Sequence, residues 1–177
     1  VGNQAEGIHK FDGTVWQFFH SGSRGDHPAW GTKLFDYGKH GVLHFLLSNV
    51  KYWLTEFHFD GFRFDGVTSM LYRDHGLGAP FDREERYFGD NVDEDALTYL
   101  QLANDLIREV NPHAVTLAED VSGMPGMGLP IDQGGLGFDA RMGMGIPDLW
   151  GHLVKDVRDE DWDLDAIWSS FCLRRPG

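Results

Sequence analysis

The sequence predicts an α/β fold built on a parallel sheet, and three observations carry that prediction. Two long amphipathic segments, over 39–57 and from about Asp93 to Val110, each lead into a short apolar run of strand type. Both runs end on charge, the first at Asp65 and the second at Glu119-Asp120. Strands that alternate with helices are joined by crossovers, which sets them parallel in one sheet. At 177 residues the chain fits one domain and is long enough to bury a core.

Residues 1 to 36 show little periodicity. Asp12-Gly13-Thr14 is a turn, followed by the aromatic run Trp16-Gln17-Phe18-Phe19-His20. Ser21 to Gly31 then gathers glycines, polar groups and Trp30 into a loop, a binding wall or an ordered connector. His20, Asp26 and His27 lie near one another here, but their spacing matches no defined metal site. The 39–57 helix carries an apolar stripe of Val42, Leu43, Leu46, Leu47, Val50, Trp53, Leu54 and Phe57. It leads into a buried strand over 59–65. Phe62 and Phe64 share one face of that strand, and Gly61, Arg63 and Asp65 share the other.

A long loop is expected from about Thr68 to Asn91, kept ordered by Tyr72, Phe81, Tyr87 and Phe88. The second helix buries Ala96, Leu97, Leu100, Ala103, Leu106, Ile107 and Val110. Asp93 and Glu94 suit its positive end, and Asn111-Pro112 stops it. Ala114 to Ala118 is the second strand. Val121 to Gly137 is a glycine-rich loop whose methionines fill gaps, and Phe138 to Met142 is a third strand. Pro147 opens a helix burying Leu149, Trp150, Leu153 and Val157. A last helical stretch from near Asp163 carries Leu164, Ile167, Trp168 and Phe171.

The formal net charge of -13 leaves no basic stripe for nucleic acid and argues against anionic membranes. Neutral sugars remain open as partners, and the 6 Trp and 13 Phe suit stacking on them, although a core claims most aromatics. The single cysteine, Cys172, forms no internal disulfide, in keeping with a reducing compartment. No apolar run is long enough to cross a membrane, and no signal-peptide pattern is legible.

Arg63 precedes Asp65 by two residues on one strand face, so the two form a same-face ion pair. Each then keeps the other ionised, because burying an unpaired charge is costly. Such a pair either closes the strand end structurally or holds a carboxylate ready as a nucleophile. Strand ends carry the chemistry in parallel α/β barrels, and adjacent strands would bring Asp65 and Glu119 to one cleft. Two carboxylates so placed fit the nucleophile and acid of a retaining glycosidase, which sit roughly 5–5.5 Å apart. Asp65 stays ionised beside Arg63, while desolvation at the end of an apolar strand would hold Glu119 protonated. Asp120 points to the opposite face and takes no catalytic role. Structural and metal-ligand pairs use the same residues, so the pattern alone leaves them open.

The run Asp60-Gly61-Phe62-Arg63-Phe64-Asp65-Gly66-Val67-Thr68-Ser69-Met70-Leu71-Tyr72 resembles the 1,4-α-glucan branching enzymes of the α-amylase superfamily. So do Leu117-Ala118-Glu119-Asp120-Val121-Ser122-Gly123-Met124-Pro125, and Phe19-His20-Ser21-Gly22 through His27-Pro28-Ala29-Trp30-Gly31. The resemblance runs in consistent order from Val1 to about Trp168. It implies a partial (β/α)8 TIM barrel, from after the third strand to the sixth helix, with residues 1–177 a fragment of the catalytic domain. It further implies cleavage of α-1,4-glucan (glycogen, amylose or starch) with retention, through a covalent glucosyl-enzyme attacked by a 6-hydroxyl. No metal and no cofactor take part, and the setting is the cytoplasm, or the plastid in a plant. By motif match Asp65 is the nucleophile, Glu119 the general acid/base and Arg63 the residue orienting the nucleophile. Arg63, His27 and Trp30 are the substrate-binding candidates. Two family motifs have no counterpart: an aspartate–histidine pair at the third strand, and a histidine–aspartate pair after the sixth helix whose aspartate stabilises the transition state. Arg174-Arg175 could match a family arginine pair, but Phe171-Cys172-Leu173 and Pro176-Gly177 do not fit. Half a barrel has open sheet edges, so the chain alone is expected to be poorly stable and inactive. The alternatives are an amylase or debranching hydrolase and a non-catalytic glucan-binding remnant.

Overall fold

The structure, a computed structural model, describes residues 2, 8–10, 12–78, 80–142 and 145–172. Arg174-Arg175 and most of Val1 to Gln4 lie outside the described residues. Three strands form one parallel sheet in the order β1 (Gly61–Phe64), β2 (Val115–Glu119), β3 (Ala140–Met142). The parallel sheet expected from alternating helices and strands is therefore present, with β1 and β3 shorter than expected and β2 shifted by one residue. Among the described residues β1 and β3 each pair only with β2. No described helix is long and apolar enough to cross a membrane.

Two helices of equal length cover one side. α1 (His40–Glu56) packs on α4 (Glu94–Val110). From the α1 stripe Val42, Val50 and Leu54 are buried, whereas Phe57 lies just past the helix and is exposed. α4 begins on Asp93, whose side chain accepts from the Ala96 amide at 3.3 Å, and Glu94 and Asp95 stand in its first turn. A capping carboxylate and early acidic residues both favour the positive end of a helix. Asn104, fully buried in α4, donates from Nδ2 to the Leu136 carbonyl at 2.8 Å and to Leu100 at 3.2 Å. It thereby fixes the glycine-rich loop against the helix.

The core has two parts. Val50, Leu54, Ile107 and Ala114 lie under one end of the sheet, with Phe62, Phe64 and Val110 packed on them. The larger cluster includes Val67, Leu71, Tyr72, Leu100, Ala118 and Phe138 and sits where the strands end. Several expectations are corrected by this packing. β1 is not buried, since only its phenylalanines pack inward while Arg63 is exposed. Two short helices, α2 (Val67–Leu71) and α3 (Glu84–Phe88), stand where a loop was expected; α2 forms where Val67 and Leu71 find the core, whereas α3 buries no residue. In α5 (Gly145–Asp156) only Leu153 is fully buried. In α6 (Leu164–Cys172) Ile167 is buried while Leu164 and Trp168 are exposed. α5 and α6 pack chiefly on each other, so their apolar faces have less to bury against.

Gly61 opens β1 with φ +154°, and a Cβ there would lie 2.0 Å from the Val115 carbonyl oxygen on β2. That oxygen is backbone in a paired strand and cannot swing away. Gly61→Ala is expected to cost about 3 kcal/mol of stability, read from the urea midpoint of the two proteins.

Candidate active site

Strand register builds the site. Arg63 is the partner of Leu117 across β1 and β2. Asp65 lies two residues beyond Arg63, and Glu119 two beyond Leu117, so the period of two brings both carboxylates to the face of the guanidinium. Arg63 Nη2 meets Asp65 Oδ1 at 2.8 Å and Glu119 Oε2 at 2.6 Å. One nitrogen contacts both oxygens, so these are no farther apart than the sum of those two distances. The Gly66 amide also donates to Glu119 Oε2, at 3.1 Å. Gly66 manages this at φ +64° in the turn that follows β1.

The surroundings differ from those expected. Asp65 is 77% exposed and Arg63 46%, so burial is not what holds this pair together. Glu119, at 17%, is the more enclosed carboxylate, but its neighbours are a cation and an amide rather than apolar side chains alone. The cause is the third partner. The strand pattern paired Arg63 with Asp65, whereas the sheet shares it with Glu119 from β2.

Asp120 faces the other way, as the alternation predicts, and is buried to 1%. It accepts from the Thr68 hydroxyl, from Ser122 N at 3.2 Å and Oγ at 2.7 Å, and from Gly123 N at 2.9 Å, with Arg141 Nη1 at 3.5 Å. These partners join α2, the loop after β2 and β3. Sequence reading set Asp120 aside. Its signal was a second acid directly after Glu119, which must turn into the protein where the strand geometry persists.

Trp30 and His27 reach the site from the early loop. The indole stacks on the His27 ring with centroids 4.0 Å apart and planes within 6°. It also covers the turn after Asp65, since a Cβ on Gly66 would come within 3.2 Å of it. Trp30 keeps 58% exposure, and with Asp65 it lines two adjoining cavities of about 290 and 300 Å³. Glu119 lines the second. His27 is 1% exposed and lies behind the indole, so it touches the cavities only through Trp30. Its Nδ1 accepts from the Ala29 and Trp30 amides at 3.2 and 3.1 Å, which leaves the proton on Nε2. Burial, then the neighbouring His75 ring, lowers the His27 pKa. His20 is lowered in the same way by burial, against the opposing pull of Asp36 at 3.5 Å. Asp26 pairs with Lys33. His20, Asp26 and His27 thus have separate partners, and among the described residues no three such side chains converge as metal ligands.

Two expected outcomes follow from this geometry. Asp120→Ala leaves several buried donors without an acceptor and lowers stability by about 3 kcal/mol in chemical denaturation. As pH falls below the ordinary histidine value of 6.5, the unfolded chain takes up protons that folded His27 and His20 resist. Stability is therefore full above that value and declines as pH drops through the lowered folded pKa values. Denaturation midpoints measured from about pH 7 to pH 5 should fall, and fall less in His27→Gln.

No protein-family model matches the chain. Among curated proteins it is 53% identical over 184 residues to a 1,4-alpha-glucan-branching enzyme of Yarrowia lipolytica. It is 55% identical over 174 residues to one of Equus caballus, and 50% identical over 173 residues to one of Dictyostelium discoideum. Each comparison covers 98% of this chain, but only 25% to 27% of the relative. The chain thus spans about a quarter of the length of the curated relatives it matches.

Proposed function

Because this chain belongs to the 1,4-α-glucan-branching-enzyme family, we propose that it contributes part of a catalytic (β/α) barrel that cleaves α-1,4-glucan and transfers the cut chain to a 6-hydroxyl. The observation that carries the reading is the shared guanidinium. With Arg63 Nη2 at 2.8 Å from one carboxylate and 2.6 Å from the other, the two acids are held at a spacing compatible with the roughly 5–5.5 Å of retaining glycosidases.

The hydrogen bonds divide the oxygens. Asp65 Oδ1 is engaged by Arg63, which leaves Oδ2 to attack the anomeric carbon. Glu119 Oε2 accepts from Arg63 and Gly66, which leaves Oε1 to carry the proton given to the leaving oxygen. The leaving chain departs with that proton as the Asp65–glucosyl bond forms. In the second step Glu119 takes the proton of the acceptor 6-hydroxyl, whose oxygen displaces Asp65. Arg63 orients both acids throughout. Trp30 offers its open face to a sugar ring, and His27 positions the indole from behind.

Transfer requires that water be kept from the glucosyl-enzyme. Asp65 is too open here for this chain to do so alone, in keeping with its spanning about a quarter of its relatives. The further strands, the acceptor site and the transition-state aspartate are assigned to the rest of a longer protein. The segment by itself is inactive on this reading.

In the full-length protein Asp65→Asn should lower branching on amylose at least about a thousandfold, with folding retained. The products of the unaltered protein should gain α-1,6 linkages without new reducing ends. New reducing ends in step with bond cleavage would make it a hydrolase, and unchanged turnover in Asp65→Asn would remove that residue as nucleophile.

A further inference from the structure

His75 lies in the loop after α2, has no role in the chemistry above, and is held unusually firmly. Its backbone is left-handed, with φ +58°, a conformation in which residues other than glycine are uncommon. Its amide donates to the Tyr72 carbonyl at 2.8 Å. The preceding Asp74 is gripped by Arg86 at 2.8 Å and by Asn91 Nδ2 at 2.8 Å, and itself accepts from the Gly76 amide at 3.1 Å. The imidazole Nδ1 lies 3.1 Å from the Ser69 carbonyl oxygen. A carbonyl only accepts, so Nδ1 carries the proton, and in the neutral ring Nε2 presents a lone pair. The His27 ring backs this one at 4.6 Å. His75 lines both cavities beside Asp65 and a third, of about 640 Å³, that adjoins them. A left-handed backbone, an anchored ring and a turn braced by Asp74, at a residue common to all three cavities, mark a group held for a ligand.

We propose that His75 is a further substrate-binding residue, whose Nε2 accepts a hydrogen bond from a hydroxyl of the glucan unit held beside Asp65. The proposal rests on the glucan reading above. The hydroxyl donates and the imidazole accepts, so binding moves no proton and selects for a sugar face with a free hydroxyl. A methylated or deoxy sugar at that position loses the contact.

The test is a substitution that changes only the outer edge of the ring. His75→Asn tolerates the left-handed backbone, and its amide can still donate to Ser69. In the full-length protein it should raise KM for amylose about three- to tenfold, with kcat and the melting temperature little changed. His75→Gln, which restores a polar atom near the Nε2 position, should recover part of that loss. Independently, titrating maltoheptaose into the protein labelled with 15N-histidine should shift the His75 Nε2 resonance. An unchanged KM in a folded His75→Asn overturns the proposal, as does a Nε2 resonance that saturating maltoheptaose leaves in place. Failure of the underlying reading is distinct, because it would show as full activity in Asp65→Asn.

Discussion

The structure around the strand ends depends on one buried carboxylate. Asp120 sits at the end of the middle strand, sealed from solvent, and an ion there is tolerable only if its lone pairs are filled. They are filled from every side. Thr68 comes from the helix that follows β1, Ser122 and Gly123 from the loop that follows β2, and Arg141 from β3. The Thr68 hydroxyl in turn accepts from the Val121 amide at 2.9 Å. The ends of three parallel strands are thereby fixed to one another by a single side chain, and so is the relative position of Asp65, Gly66 and Glu119.

The pleat of β2 separates structure from chemistry. Glu119 and Asp120 are adjacent, yet one meets Arg63 and the cavities and the other meets the interior. Exposed ion pairs contribute little to stability, typically ~0–1 kcal/mol, so the open Arg63–Asp65 pair is not what holds the sheet together. Their value lies in position. A single guanidinium that meets a carboxyl oxygen from each of two strands keeps the two acids close together.

The early loop and the loop after α2 converge on the same spot, although α1, β1 and α2 separate them in the chain. Trp30 stacks on His27, His27 faces His75, and His75 hangs from Ser69, one turn beyond Asp65. The result is a wall of rings beside an open carboxylate.

The sequence by itself determined the two long helices, the three short strands and the carboxylates that stand at the strand ends. Helices α1 and α4 were legible because their apolar residues recur at three and four, and α4 because Asp93 and Asn111-Pro112 bracket it. The strands were legible because short apolar runs stop at charge, and the run around Asp65 carried the family resemblance. Tertiary structure alone decided which groups meet. That Arg63 serves Glu119 as well as Asp65 follows from the register of β1 on β2, a pairing of residues 56 positions apart that no local pattern encodes. The helices within 68–91, the exposure of Leu164 and Trp168, and the anchoring of His75 were settled in the same way. Each depends on what a distant segment offers for burial or hydrogen bonding, and sequence periodicity reports only what a segment can do on its own.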